Sequence, residues 1–417
     1  MKVLHVLYTS LPDHSGSSIR SRGVVSSQLT VGLEPTVITS PFQKPMEAGC
    51  QEEVFEGVTH IRTYNGKASQ QVDENGSGIV KQLNKLFQIF TFRNKVYAHA
   101  KRLDADVVHG HSTFFCGLAA IYAARKLSIP CVYEVRSLWE ERAADRNGSR
   151  LSKFLASVIR RLETYVMYRA DHVVVINDAL RDDILARGID SEKISVVVNA
   201  VEDATLENGG DSSWPINGRD DFVFSYIGSV SPIEGLDLLL DAWSKFFKNG
   251  MSCRLKIFGG GIFSNTLAQI IDSQKLQNVE LCGPFVPADV KSIYGTVDVI
   301  VNPRNKSRLT DTVTPLKPLE AMAYKKLVLT SDVGGMKALV KNSVTGLQFK
   351  SGDVDDLVRL LKYVTSERQE VLAGIVKAGR DYVVAERSWT KNSNNYKELY
   401  SDLVQGKSAL TVNLADK

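Results

Sequence analysis

Two stretches of the chain carry residue types whose chemistry and spacing suggest a site. In Val107-Val108-His109-Gly110-His111-Ser112, two histidines flank a glycine at the end of an apolar run. In open α/β sheets the C-terminal strand edge faces the ligand crevice, so His111 is a candidate for contact with substrate. Zinc would need third and fourth ligands at a fitting spacing, and the sequence offers none. The second stretch runs from Arg304 to Glu320. Three of its cations, Arg304, Arg308 and Lys317, precede Glu320 as candidates, and Pro318 marks a helix start. Cations beside a helix N-terminus suit a diphosphate, and a carboxylate one turn into the helix suits ribose hydroxyls. The plain alternative is a solvated basic loop.

Two glycine-containing turns follow predicted strands. Pro12-Asp13-His14-Ser15-Gly16-Ser17-Ser18 opens a helix, where backbone N–H groups can hold an anion or form a polar turn. Phe258-Gly259-Gly260-Gly261 has two glycines at G-x-G spacing, but Ser264 stands where a dinucleotide fingerprint has its third. A close approach of strand and helix accounts better for it, and a nicotinamide oxidoreductase is disfavoured. The pairs Asp104/Asp106 and Asp353/Asp355 have metal-compatible spacing. The first leads into a buried strand and the second opens a helix, so both read as structural.

These residues need a scaffold, and the periodicity supplies one. Apolar runs alternate with helical stretches: strands at Val3–Tyr8, Pro35–Thr39, Ala105–His109, Cys131–Val135, His172–Ile176 and Ile194–Val198, and a helix near Ile19–Val31. From Val201 to Asp221 the chain turns polar and rich in Gly, Ser and Asn, as an interdomain linker or exposed loop would. The alternation then restarts with FVFSYIG, a helix near Leu236–Lys248, CRLKIFG, VELCG, VDVIVNP and KLVLTS. The pattern predicts two α/β halves with parallel sheets, residues 1–200 and 201–387. A final helical segment, 388–417, frays beyond Gln405.

The bulk composition narrows the function. The 417 residues suggest two or three domains, and 43% hydrophobic with 24% charged residues supports real cores. A net charge of +4 is too mild to demand nucleic acid. No run approaches a membrane span, and MKVLHVLYTS lacks the apolar segment of a signal peptide. The five scattered cysteines read as reduced thiols of a cytoplasmic protein, with neither disulfide nor zinc.

Taken together, these residues resemble the retaining glycosyltransferases of family GT4, which have the GT-B fold of two Rossmann-like domains. The resemblance spans nearly the whole chain. DADVVHGHS resembles a D-V-V-H-x-H strand end. ADHVVVINDALRDDILARGIDSEKISVVVNAVE, GLDLLLDAW, LCGPFVPADVKSIYGTVDVIVNP and PLEAMAYKKLVLTSDVGGMKALVKNSVTGLQF follow the family's order. RSWTKNSNNYKELY resembles the helix that returns to the first domain. RLTDTVTPLKPLEAMA and YEVRSLWEE resemble one subgroup.

The resemblance implies a nucleotide-sugar donor in an interdomain cleft, no cofactor and no metal. The base would lie against Pro284-Phe285-Val286 and Glu320 would bind the ribose. The diphosphate would meet Arg304, Arg308, Lys317 and the N–H groups around Thr314, Pro315 and Leu316, with Gly228, Ser229 and Leu319 also in the donor site. Gly16 and Ser17 would close on the diphosphate of the donor, or on the acceptor, from the first domain. His111 would face the transferred sugar and Arg136 the acceptor. The sequence departs from the family in three places. Gly228-Ser229 and Glu234-Gly235 stand where the family has an Arg and a Lys that grip the diphosphate, and Thr312 replaces the first Glu of an E-x₇-E pair. Arg304, Arg308 and Lys317 would replace the lost cations.

Residues 78–103 hold six Lys or Arg and no acid, with Ile79, Leu83, Leu86, Phe87 and Phe90 at helical spacing. A second basic helix follows near Arg150–Arg169. Such helices lie on anionic membranes or pack on a core, and the pattern alone does not choose. On the first reading the acceptor is a saccharide or lipid-linked saccharide of a surface-polysaccharide or lipopolysaccharide pathway, and the enzyme is peripheral at the inner face of the plasma membrane. The donor would be a UDP- or GDP-sugar. The alternatives are a sugar-nucleotide epimerase of the same architecture and a non-catalytic partner protein.

Overall fold

The computed structural model describes residues 1–13, 15–66, 78–144, 150–208, 214–215, 222–248 and 252–415. They divide into two units: Met1–Val198 with Trp389–Lys417, and Asn199–Ser388. His14 and much of the polar stretch ending at Asp221 lie outside the described residues.

The first unit is built on eight strands: β1 (Lys2–Leu7), β2 (Glu34–Thr39), β3 (Glu52–Phe55), β4 (Val58–Arg62), β5 (Val107–His111), β6 (Cys131–Val135), β7 (His172–Val175) and β8 (Ile194–Val196). Their order is β3-β4-β2-β1-β5-β6-β7-β8, parallel except for the antiparallel β3–β4 hairpin. The central strands are apolar and buried along their length, as a parallel sheet covered on both faces requires. The hairpin is absent from the sequence reading. Its short, charged strands, EEVF and VTHIR, carry no apolar run.

Strand β5 runs two residues further than expected. His111 is its last residue and pairs with Glu134, while His109 pairs with His5. Alternation places residues two apart on the same face, so this register gathers His5, His109, His111 and Glu134 on one side of the sheet. Helix Gly16–Thr30, capped by the Ser15 side chain, packs against helix Trp389–Ala415. That last helix continues well past Gln405, the point where the sequence suggests fraying.

The second unit has six parallel strands, β9 (Phe222–Ile227), β10 (Cys253–Phe258), β11 (Val279–Gly283), β12 (Val299–Asn302), β13 (Leu327–Ser331) and β14 (Leu347–Phe349), in the order β11-β10-β9-β12-β13-β14. One core packs around Trp243, Phe224 and Leu361, and the other around Tyr294, Leu319 and Met322. The described start of the expected linker belongs to this unit. Val201 is buried and bridges to Ser388, a helix forms at Asp203–Asn208, and Trp214 Nε1 donates to the Asp298 carbonyl. Val201, Leu206 and Trp214 in this polar stretch each pack on a core, which its average polarity conceals.

Candidate functional site

In the first unit, the chemistry-bearing residues form a buried polar network. Glu134 is fully buried; its Oε1 accepts from Arg136 Nε at 2.5 Å and Arg20 Nε at 2.9 Å, and its Oε2 from the Tyr396 hydroxyl. Burial would raise this carboxyl, but the two guanidiniums outweigh it and hold it well below the usual carboxylate range. Arg136 also donates to the Ser17 carbonyl at 2.9 Å, Ser21 Oγ at 2.6 Å and His111 Nδ1 at 2.5 Å. Ser17 therefore contributes to this network through its carbonyl.

The hydrogen-bond directions from His111 to Gln28 follow from arginine being only a donor, and Tyr400 directs its own proton to its remaining partner, His109. His111 Nδ1 accepts from Arg136, so His111 carries its proton on Nε2 and donates it to His5 Nδ1 at 2.9 Å. His5 then donates through Nε2 to Gln28 Oε1 at 2.9 Å, and Gln28 Nε2 donates to the Tyr400 hydroxyl at 3.3 Å. Tyr400 donates to His109 Nδ1 at 2.6 Å. His109 Nε2 carries the last proton, 3.7 Å from Glu134 Oε2. Burial drives all three imidazoles toward the neutral form: His5 to about 4, His111 to about 3 with help from Arg136, and His109 well below its ordinary value.

The ring nitrogens of His5, His109 and His111 lie within 4.8 Å of one another. The third histidine that the spacing of His109 and His111 lacks thus comes from β1. The hydrogen-bond directions still argue against an ion here. His111 Nε2 bears a proton, and its Nδ1 lone pair is taken by a cation.

In the second unit, the loop after β9, the loop after β12 and helix Lys317–Ala323 bring a second cluster together. Glu234 is buried, with Oε2 2.9 Å from Lys317 Nζ and Oε1 3.1 Å from Arg304 Nη2. Burial would raise its carboxyl, but the two cations pull it down to about 2. Lys317 also donates to the Tyr226 hydroxyl, which donates to the Ser229 carbonyl at 2.7 Å, and its ammonium sits 4.5 Å from the Tyr226 ring centroid. Burial lowers the Lys317 pKa against the pull of Glu234. Gly228 makes room for this lysine: a Cβ there would lie 2.3 Å from Lys317 Cε, and its φ is +145°. Gly259 has φ +131° and packs on the Gly228 carbonyl, so the glycine-rich turn is a close approach of backbones.

Glu320 sits one turn into helix Lys317–Ala323. Burial, then repulsion from Glu202, raises its carboxyl to about 7, and Lys317 opposes the rise. Thr314 is fixed by Asn199 Nδ2, which donates to its carbonyl at 2.8 Å. Pro315 has no N–H, so the expected backbone cradle reduces to Thr314 and Leu316. Leu319 is wholly buried in the core, with its amide bonded to the Leu316 carbonyl. Arg308 starts helix Arg308–Thr312 and is exposed, as is Val286. Gly16 lies at the start of its helix, with open space around it. Both D-x-D pairs are structural: Asp106 accepts from the Lys2 amide at 2.7 Å, and Asp353 caps helix Val354–Ser366.

The sequence did not single out His5, Gln28, Arg20, Glu134, Tyr396 or Tyr400. Glu134 lies inside the YEVRSLWEE segment, and Tyr396 and Tyr400 inside RSWTKNSNNYKELY, but neither resemblance marks these positions.

Residues 32–205 match the family described as Glycosyltransferase Family 4, and residues 221–367 the one described as Glycosyl transferases group 1. The UDP-Gal:alpha-D-GlcNAc-diphosphoundecaprenol alpha-1,3-galactosyltransferase of Escherichia coli is 25% identical over 323 residues, 75% of this chain and 79% of that relative. The alpha-monoglucosyldiacylglycerol synthase of Acholeplasma laidlawii is 21% identical over 337 residues, 77% of this chain and 81% of its own. Among solved structures, sucrose-phosphate synthase from Thermosynechococcus elongatus superposes with a TM-score of 0.76 at 15% identity, over 97% of this chain and 100% of that one. Anabaena HepE in complex with UDP and glucose gives 0.72 at 15% identity, with the same coverage. With two parallel-sheet α/β units and family matches in each, the chain belongs to the group 1, family 4 glycosyltransferases and has the GT-B fold.

Proposed function

We propose that this chain transfers a sugar from a UDP- or GDP-sugar to a saccharide or lipid-linked saccharide with retention of anomeric configuration, in surface polysaccharide synthesis. The observation that carries the donor reading is the convergence of Lys317 and Arg304 beside Gly228, where β9 ends. Ligands of open α/β sheets bind at the carboxyl ends of strands. Lys317, Arg304 and Arg308 stabilise the charge on the departing diphosphate, which makes a divalent ion unnecessary. Glu320 takes the ribose hydroxyls, and Pro284, Phe285 and Val286 the base. HepE solved with UDP-glucose supports a nucleotide-sugar donor.

In the first unit, His111 serves the sugar side and Arg136 the acceptor side. Both ring nitrogens of His111 are engaged and the ring is 1% exposed, so it acts as a fixed neutral group whose one proton is held by His5. The acceptor reading draws on the E. coli and A. laidlawii relatives, whose names specify a diphosphoundecaprenol and a diacylglycerol lipid. It also draws on the surface of the two basic helices. In helix Gly78–Leu103, Ile89, Phe92, Val96 and Ala100 are buried, while Phe87 and Phe90 are 67% and 53% exposed. Helix Arg150–Arg169 exposes Phe154, Tyr165 and Tyr168. Both pack on helix Phe114–Leu127. Exposed aromatics among lysines and arginines suit the interface of an anionic bilayer. The side chains of residues 78–86, including Ile79, Leu83 and Leu86, lie outside those described. Among the described residues no helix is long and apolar enough to cross a membrane.

A second reading, a non-catalytic partner protein, is favoured by Glu234, which satisfies both cations internally. A thermal-shift screen against UDP-, GDP-, ADP- and dTDP-sugars comes first. A bound donor at 100 times its dissociation constant stabilises by about 2.7 kcal/mol. Product analysis with the stabilising sugar nucleotide and lipid-linked acceptors then distinguishes transfer from epimerisation or simple binding. No stabilisation by any of the four sinks the donor reading.

A further inference from the structure

We propose that the Glu234 carboxylate is a built-in counter-ion that competes with the nucleoside diphosphate for Lys317 and Arg304, and so sets how tightly the spent nucleotide is held. The inference rests on the donor reading above. It adds a residue that opposes binding to a site otherwise described by the residues that favour it.

The geometry is that of an occupied anion site. The two oxygens of Glu234 are shared between the cations: Oε2 lies 2.9 Å from Lys317 Nζ and 3.4 Å from Arg304 Nε, and Oε1 3.1 Å from Arg304 Nη2. Glu234 comes from the turn before helix Leu236–Phe246, 70 residues ahead of Arg304, and meets the loop after β12 and the first residue of helix Lys317–Ala323. The carboxylate is the most covered of the three side chains, 7% exposed against 13% for Arg304 and 18% for Lys317. The cations are therefore the more open to an incoming anion. Two cations and one carboxylate leave a net charge of +1, whereas the same cations without Glu234 would present +2. A phosphate that reaches Lys317 and Arg304 must share them with a carboxylate and is repelled by it. Low dielectric strengthens both effects.

A purely structural ion pair would have the same distances, so the test must read ligand affinity. Glu234→Gln keeps the shape and an acceptor oxygen but removes the charge. Titration calorimetry with UDP and GDP on the full chain should show at least ~10-fold tighter binding than wild type, with stronger product inhibition by the same nucleotide. Glu234→Asp keeps the charge and should stay near wild type. If Glu234→Gln is less stable, the melting-temperature rise given by UDP or GDP is the second readout. It should exceed the wild-type rise, whatever the starting point. Equal or weaker nucleotide binding by Glu234→Gln, beside measurable binding by wild type, overturns the counter-ion role and leaves the donor reading standing. Loss of stability in Glu234→Gln without a larger nucleotide-induced rise assigns Glu234 to structure alone and also overturns it. If neither protein binds UDP or GDP, both readings fall.

Discussion

Arg136 Nη2 donates to His111 Nδ1 at 2.5 Å, and this one contact determines which nitrogen of His111 carries the proton. His5 and Gln28 take their hydrogen-bond direction from it, and Tyr400 and His109 continue the chain. His111 should accordingly remain neutral, protonated on Nε2, from pH 8 down to pH 5, and ¹⁵N chemical shifts of the imidazole would report this. A ring that gains its second proton near its ordinary value of 6.5 contradicts the assignment. Arg136→Ala leaves the buried Glu134 with one arginine, Arg20, and the Tyr396 hydroxyl, and should cost about 3 kcal/mol of stability in denaturant unfolding.

Glu320 gives a pH dependence of definite sign. Its carboxyl is raised to about 7 from an ordinary value of 4.5. The stability it contributes is fully present below pH 4.5 and is lost as pH rises through 7. Glu320→Gln removes that titration. Between pH 5 and pH 8 the variant should gain on wild type by about 2 kcal/mol in unfolding free energy. A difference that stays constant across this range refutes the raised carboxyl.

Lys317 and Gly228 should fail together in catalysis but differ in cause. Lys317→Ala removes a cation from the leaving group and should lower kcat/KM by about 2–4 kcal/mol in transition-state terms. Gly228→Ala places a methyl group 2.3 Å from Lys317 Cε at a φ of +145°, so the lysine must shift and the backbone is strained. Donor KM should rise in both variants. An unimpaired Gly228→Ala enzyme would show that the lysine acts from some other position.

The exposed aromatics of helix Gly78–Leu103 provide a fourth test. Phe87→Ser with Phe90→Ser leaves the core side chains Phe92 and Val96 untouched, so the melting temperature should hold. Sedimentation with vesicles containing anionic lipid should drop about tenfold. Unchanged co-sedimentation would turn these phenylalanines to another partner.

Local pattern was enough for much of the architecture. Apolar runs such as VVHGH, CVYEV and VDVIVNP declare buried parallel strands because their period and bounding turns are local properties. The run from Arg304 to Glu320 declared its cations for the same reason, since they lie within a few turns of chain. The β3–β4 hairpin has no local signal because its strands are short and polar; β4 becomes a strand by pairing with β2, and β3 by pairing with β4.

What the sequence could not determine was partnership across the sheet. Glu234 reads along the chain as a cation lost from a familiar position. In the fold it holds both Lys317 and Arg304, because β9 and β12 are neighbours and their following loops converge. No local pattern marks His5, Gln28 or Tyr400 as partners, yet register and helix packing close them into one network with His111. Residue types and short spacings come from the sequence; strand register and helix packing set which distant groups share a proton or a charge. A buried polar group must find such a partner, and only the tertiary structure supplies it.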